Sequence, residues 1–509
     1  MPERWWERAV VYHIYPRSFA DANGDGIGDL PGIVSRLDYL EWLGVDAIWL
    51  GPTFPSPNAD WGYDVSDYLG VHPDLGAPAD LERLIVEAER RHIRVLLDLV
   101  ANHTSDRHPW FGDPEKRDWY VWRDPKPNGS PPNNWRSAFG GPAWTFVPER
   151  GQFYLHNFLP QQPDLDWWNE EVRAAFDDIL RYWFDRGIAG FRIDVAHALV
   201  KDPLLRDNPP ARPTDAPSWQ RIGQRPRYNV GLPDAADVHR RWRRVAREYD
   251  PERLLLGETY VLDLDALMQY VVPDGLHLCM NFPFLHAPFE AGALAAVVAE
   301  TERRLPSWAT PLWHASSHDD PRFATRWCAG DEELARCALV ALLSLRGATI
   351  LYQGDEIGME AVEVPEERRR DVAGRDRCRT PMVWADVEGA GFTEPGVEPW
   401  LPIGPRDRNV ADQRDDPGSI LTLTRDLVAL RRHRGLLTGA YEPVEAPPGV
   451  WAFRREGGAL VALNLAERPA RLDGVEGAIV LCTDRSRDGA LVRGALDLAP
   501  RQAVVASVS

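Results

Sequence analysis

The sequence predicts an α/β chain whose main body is a (β/α)₈ barrel of the TIM-barrel class. A small domain is inserted after the third strand, and an antiparallel β-sandwich domain closes the C-terminus. Three observations predict this. Short apolar, β-branched runs alternate with amphipathic stretches for most of the length. Eight such units can be counted, the number of a closed parallel barrel. The chain has 509 residues, enough for a barrel with one or two smaller modules.

The first strand reads Val10 to Tyr15, and the helix after it carries Ile33, Leu37, Leu40 and Leu43 on one face. Strand two is Ala47 to Leu50. Its helix runs through Leu81, Leu84, Ile85 and Ala88, with Asp80 as the expected N-cap. Strand three is Val95 to Val100. The rhythm then breaks: residues 104–165 are rich in Pro, Gly, Asn, Asp and Trp and lack a helical period. A structureless loop of that length is rare in a compact chain, so an inserted domain is expected over 104–165. The pattern resumes with a helix through Val172, Phe176, Ile179, Leu180 and Trp183, then strand four, Gly190 to Asp194. A Pro-rich loop (201–233) and a basic helix (237–249) lead to strand five, Leu254 to Glu258. Strand six is placed at Cys279 to Phe282 and strand seven at Leu312 to Ala315. A helix through Leu334, Ala338, Leu342 and Leu345 precedes strand eight, Thr349 to Tyr352. A long loop (354–415) and a helix from Ile420 to Leu430 complete the barrel, which thus occupies 1–103 and 166–438. Short alternating segments such as Gly449–Phe453 and Leu460–Asn464 place an all-β domain over 439–509.

Net charge is −19. So acidic a surface repels phosphate backbones and anionic lipid heads, which argues against nucleic acid and membranes as partners. Five cysteines occur, an odd number at wide spacing with no CxxC pair. Free thiols in a reducing compartment are expected, rather than a disulfide frame or a zinc site. No signal-peptide core and no apolar stretch of membrane-spanning length is present. The expected location is the cytoplasm, as a monomer or homodimer.

In a parallel barrel, reactive groups sit where strands end. Here Asn102-His103 follow strand three, Arg192-Ile193-Asp194 end strand four, Glu258 ends strand five, and His318-Asp319 follow strand seven. A single Asp after a strand is more often a helix cap. Three carboxylates from three strand ends, with two His and an Arg, are hard to explain as caps. Glycoside hydrolysis needs such a set: one carboxylate to attack the anomeric carbon and one carboxylic acid to protonate the leaving oxygen. Arg192, two residues before Asp194, points to the same side of the strand and would hold it ionised.

DLVANHTS (98–105), GFRIDVAH (190–197), GET (257–259) and SSHDDPR (316–322) resemble the four signature stretches of glycoside hydrolase family 13, the α-amylase superfamily. QPDLDWWN (162–169), DWGYDVSDY (60–68), GRDRCRTPMVW (374–384) and the opening WWERAVVYHIYPRSFADANGDGIGDLPGI are similar to its α-glucosidase and oligo-1,6-glucosidase subgroup. The resemblance spans nearly the whole chain. It implies Asp194 as nucleophile, Glu258 as acid/base and Asp319 as the third carboxylate, gripping the sugar's 2- and 3-hydroxyls. It implies His103 and His318 as hydroxyl-binding histidines, Asp60 and Arg375 as a pair closing the pocket, Tyr63 as its aromatic floor, and Phe139 and Phe158 as walls. Read without it, Asp60–Arg375 is a structural salt bridge, the two His are core groups and the aromatics are packing. Trp110, Trp119, Trp122, Trp135 and Trp144 of the insert could stack sugars, but core packing is the simpler reading.

Asp21, Asn23, Asp25, Ile27 and Asp29 place oxygen ligands at alternate positions, like the first half of an EF-hand loop. Gly32 stands where the loop's bidentate Glu would be, so an EF-hand is not expected. The resemblance implies a structural Ca²⁺ held by these five residues; the alternative is an Asx-rich turn. No organic cofactor is expected. The sequence departs from the family at Ser317, where Asn is usual, and this bears on how His318 is oriented. Val195 and Asp166 give mixed hints on linkage, and His197 with the 201–233 loop is expected on the leaving-group side. The expected activity is that of a retaining, exo-acting α-glucosidase on short α-1,4- or α-1,6-glucosides. A trehalose or sucrose isomerase, a glucosyltransferase and an inactive sugar-binding homologue are the rivals. Inactive homologues typically lose a catalytic carboxylate, and here all three are present.

Overall fold

The computed structural model describes residues 4–433 and 435–508. Eight parallel strands form the barrel: β1 (Val10–Ile14), β2 (Ala47–Leu50), β3 (Arg94–Leu99), β7 (Gly190–Ile193), β8 (Leu254–Gly257), β9 (Leu278–Cys279), β10 (Leu312–His314) and β11 (Ala348–Tyr352). They are hydrogen-bonded in the order β10-β11-β1-β2-β3-β7-β8-β9. A single parallel bridge, Met280 to Leu312, closes the ring between β9 and β10. Alternation along each strand sorts the side chains into two cores. Val11, Ala47, Trp49, Leu96, Leu254, Leu256 and Ile350 fill the cylinder. Val10, Tyr12, Ile48, Leu97, Leu99, Phe191 and Leu255 face the surrounding helices.

Three local expectations are corrected. The first helix is two, Leu30–Ser35 and Leu37–Leu43, broken at Arg36. The helix Pro78–Arg90 is capped by Ala77, not Asp80; Asp80 lies inside the first turn and its carboxylate accepts from the Ala77 N–H at 2.8 Å. Strand six is shifted: β9 covers Leu278–Cys279, and Phe282 already begins a short helix, Phe282–Leu285.

Between β3 and the helix Glu170–Phe184, a small antiparallel sheet forms from β4 (Trp122–Arg123), β5 (Trp144–Val147) and β6 (Gln152–Leu155), in the order β4-β6-β5. Trp135 and Trp144 fill its core, and Trp119 and Trp122 are also buried. These four rings are packing residues, not sugar platforms. The Pro-rich loop after β7 leans on this unit: Asn133, Asn134 and Trp135 donate to carbonyls of Leu205, Asn208 and Arg206 at 2.8–3.2 Å. The C-terminal strands are β12 (Tyr441–Val444), β13 (Val450–Arg455), β14 (Ala459–Asn464), β15 (Ala470–Asp473), β16 (Gly477–Cys482), β17 (Leu491–Val492), β18 (Ala495–Leu498) and β19 (Gln502–Val508). Six of them form one antiparallel sheet, and β15 pairs with β18 over one of its faces. The other face, with Trp451, Phe453, Val461 and Val505, joins the barrel's outer core. All five cysteines are free and buried.

Candidate active site

Every strand that contributes to the mouth of the cylinder brings a polar group to its C-terminal end. β3 carries Asp98, β7 leads through Arg192 to Asp194, β8 leads to Glu258, and β10 leads to His318 and Asp319. Register explains the meeting: Asp98 pairs with Arg192, and Ile193 with Gly257, so side chains two residues apart share one side of neighbouring strands. Gly257 leaves room for the Leu276 side chain, which a Cβ there would meet at 2.4 Å.

Arg192 is the hub. Its Nη1 donates to Asp98 Oδ1 at 2.7 Å and to Asp194 Oδ1 at 2.8 Å, and its Nη2 lies 2.9 Å from Glu258 Oε1. The side chain is almost fully buried. One guanidinium thus faces three buried carboxylates. Burial would lower Arg192, but the surrounding carboxylates hold it charged well above the ordinary range. For the acids the balance runs the other way. Burial, with repulsion from the neighbouring carboxylates, pushes Asp194 well up and Glu258 up, against the pull of Arg192. Asp98 is raised to about 6 for the same reason. Burial and mutual repulsion thus act on all three acids in the same direction, with Arg192 opposing them.

Glu258 is also fixed from the backbone, its Oε2 accepting the Val195 N–H at 2.8 Å. Val195 reaches that geometry at φ 36°, a left-handed conformation that a β-branched residue rarely adopts. His197 turns its Nδ1 toward the Glu258 carbonyl at 3.4 Å.

Asp319 lies in a cationic setting. Its Oδ1 accepts from Arg379 at 2.8 Å and Arg375 at 3.2 Å, and its Oδ2 lies 3.2 Å from His318 Nε2. Burial opposes its charge, but the polar N–H edge of the neighbouring His318 and above all the Arg375, Arg379 and Arg192 guanidiniums outweigh it and hold the carboxyl well below the usual range. Burial keeps His318 neutral. Its Nε2 meets the Tyr63 hydroxyl, which itself donates to Asp98 at 2.9 Å. Arg375 pairs with Asp60 and Asp371, and its guanidinium lies 5.8 Å from the Phe139 ring. Phe139 meets Phe158 edge-on at 6.0 Å, and Phe158 lies 5.2 Å from His103. The eleven predicted catalytic and sugar-binding residues therefore fall in one connected constellation. His103 is buried like His318: its Nε2 lies 3.0 Å from the Tyr63 carbonyl and its Nδ1 3.1 Å from Asn102.

Sequence reasoning missed Asp98, Gln162, Asp371 and Arg379 as site residues. Gln162 donates to Asp60 at 2.9 Å, and Arg379 anchors the His318 carbonyl at 2.9 Å. Asp98, Gln162 and Arg379 each stand inside a stretch that resembles the family, and Asp98 is also a lone acid inside an apolar strand; Asp371 lies outside every such stretch.

The Asp21–Asp29 loop lies apart from this constellation and is knit by its own hydrogen bonds. Asp21 accepts from Gly24 and Gly26 at 2.8 Å, Asp25 from Ile27 at 2.8 Å, and Asp29 from Gly32 at 2.6 Å. Among the described residues no three acidic, His or Cys side chains converge tightly enough to hold a metal. Each carboxylate oxygen keeps lone pairs beyond those used, and the Asn23 side chain bridges to Asp25 at 3.1 Å.

The model of the family described as "Alpha amylase, catalytic domain" matches residues 13–439. A probable alpha-glucosidase of Rhizobium meliloti is 42% identical, covering 90% of this chain and 88% of the relative. An oligo-1,6-glucosidase of Parageobacillus thermoglucosidasius is 36% identical, covering 92% of each chain. Among solved structures, the alpha-glucosyl transfer enzyme XgtA superposes with a TM-score of 0.92 at 40% identity, covering 99% of each chain.

Proposed function

From the premise that the chain belongs to the α-amylase family of glycoside hydrolases, we propose that it is a retaining, exo-acting α-glucosidase in which Asp194 attacks and Glu258 donates the proton. It is a glycoside hydrolase of the α-glucosidase kind. The observation that carries the finer reading is that Asp194 and Glu258 are both held by the one guanidinium of Arg192. Two carboxyls gathered on one guanidinium support the close-set pair, about 5 Å apart, that a retaining mechanism needs.

In this reading Asp194 forms a bond to the anomeric carbon as the C1–O bond breaks, and Glu258 gives its proton to the departing oxygen. Water, deprotonated by Glu258, then cleaves the ester. In this reading the proton sits on Glu258, raised by burial, before the bond breaks. Asp319, ionised throughout, grips the sugar hydroxyls with His318, and Tyr63 forms the floor. Asp60 and Arg375, braced by Asp371, wall off the far end, which favours removal of single terminal glucose units. Asp194→Ala should lower glucose release from maltose by several orders of magnitude; activity within about tenfold of the parent would remove Asp194 as nucleophile.

Transfer to a sugar hydroxyl uses the same intermediate, and the likeness to a glucosyl transfer enzyme makes it the second reading. Product analysis on maltose, isomaltose, sucrose, trehalose and nitrophenyl α-glucoside separates hydrolysis, transfer and isomerisation, and fixes the linkage. Cytoplasmic location is part of the proposal. No helix among the described residues is long and apolar enough to cross a membrane.

A structural Ca²⁺ at Asp21, Asn23, Asp25, the Ile27 carbonyl and Asp29 is also proposed, on the strength of five oxygen donors at alternate positions of one loop. Calcium should raise the melting temperature and EDTA lower it; an unchanged melting temperature in both would leave only an Asx-rich turn.

A further inference from the structure

The side of the site beyond Glu258, where a leaving group must lie, holds a carboxylate with no assigned role. Asp320 is nine-tenths buried, at 7% exposure. Its Oδ2 takes the Ser317 hydroxyl at 3.3 Å, while its Oδ1 accepts no hydrogen bond and has only His286 Nε2 nearby, at 3.7 Å. His286 in turn meets the hydroxyl of Tyr260 at 3.1 Å. Tyr260 stands two residues after Glu258 and is 36% exposed, a large aromatic face open to whatever binds there. Ser317 positions the acid, its Oγ accepting the N–H groups of both Asp319 and Asp320 at 3.1 and 3.0 Å.

No cation answers this carboxylate at ion-pair distance among the described residues. Burial keeps His286 neutral, lowered to about 4. Arg326 spends its donors on the carbonyls of Leu285, Ala315 and Pro321. Arg221, whose charge is felt at Tyr260, is exposed to screening solvent. Burial, then the charges of Asp319 and Glu258, push Asp320 up to about 7, against the opposing charge of Arg326. A buried acid in that state gives up its proton to a cationic neighbour and repels an anionic one.

We propose that Asp320, with His286 and Tyr260, selects leaving groups and acceptors by charge. Neutral polyols and ammonium-bearing groups are admitted on this side, and groups carrying carboxylate or phosphate are rejected. The inference rests on the α-glucosidase reading, since that reading places the leaving group beside Glu258.

Three α-glucosides of matched size test it: 4-(hydroxymethyl)phenyl, 4-(aminomethyl)phenyl and 4-carboxyphenyl. The native enzyme should turn over the carboxyl compound with kcat/KM about tenfold or more below the neutral one, mostly through KM, and the amine at least as well as the neutral one. Asp320→Asn should bring the carboxyl-to-neutral ratio at least about fivefold closer to one and remove any advantage of the amine. Asp320→Ser carries the same expectation should the Asn variant not fold. Native ratios within about twofold of one, or ratios unmoved in a variant that still cleaves the neutral compound, overturn the proposal. Failure of the native enzyme to cleave even the neutral compound would instead overturn the α-glucosidase reading.

Discussion

Arg192 Nη1 and Asp98 Oδ1 meet at 2.7 Å inside the barrel, across the ladder that pairs β3 with β7. The contact makes Asp98 a brace for the guanidinium that also holds Asp194 and Glu258. It also adds a negative charge that raises Asp194. Asp98→Asn should therefore act on the pH profile as well as on rate. The acid limb of kcat/KM reports ionisation of Asp194 in the free enzyme. With the Asp98 charge gone, Asp194 ionises more readily, so that limb should move to lower pH by roughly 0.3–1 unit. An acid limb that stays put or moves upward would show that Asp98 does not couple to the nucleophile.

The Asp60–Arg375 wall gives a second test. Arg375→Ala removes the partner of Asp60 and one of the two guanidiniums on Asp319. KM for maltose should rise by about tenfold or more, because hydroxyl contacts are lost and Asp60 is left buried without its counter-charge, with Gln162 still donating to it. With the far end open, maltopentaose should begin to yield maltose and maltotriose beside glucose. Chromatography showing glucose as the sole first product would mean that the pair does not set the exo mode.

Val195 carries backbone strain at φ 36°. Relief of that strain, of the order of 1–3 kcal/mol, exceeds the cost of about 0.5–1 kcal/mol for a glycine's freedom. Val195→Gly should therefore hold or raise the unfolding free energy, by up to about 2 kcal/mol in denaturant titration. Turnover should fall, since a looser backbone frees the N–H that fixes Glu258. A loss of stability greater than about 2 kcal/mol would show that side-chain packing outweighs the strain.

Lys201 and Asp164 form a buried ion pair at 2.8 Å, tying the Pro-rich loop to the insert. The Lys201 ammonium also donates to Asn102 at 2.6 Å. Lys201→Ala leaves Asp164 fully buried without its counter-charge, at a cost of about 3 kcal/mol. Calorimetry should show a melting temperature lower by several degrees. An unchanged value would mean that the Asn157 donors to Asp164, both at 2.8 Å, already suffice.

The strands were legible where apolar β-branched runs were four residues or longer, as at Val10–Ile14 and Leu254–Gly257. β9 is read too late in the sequence because the strand itself is only Leu278 and Cys279, and apolar Met280 and Phe282 follow it across Asn281, which caps the next helix. Asp194, Glu258 and Asp319 could be read because each stands just past a strand, where a charged residue interrupts a buried pattern. Asp371 could not, because it reaches the site from a long loop whose path no periodicity encodes; Arg379 comes from the same loop and is marked only by the family-like stretch 374–384. The break at Arg36 is equally silent in the sequence: the apolar spacing of Ile33, Leu37 and Leu40 suits one continuous helix.

The bridge from Met280 to Leu312 joins two short strands, so the barrel's wall has one narrow hinge line while its other edges are zipped by longer ladders. Thermal breathing concentrates where the fewest bonds must part. Backbone amides around 278–282 should thus be the first of the wall to trade their protons with deuterated solvent. A gap there would fall between β9 and β10, and opening it would part the stave that bears Asp319 from the neighbour of the one that bears Glu258.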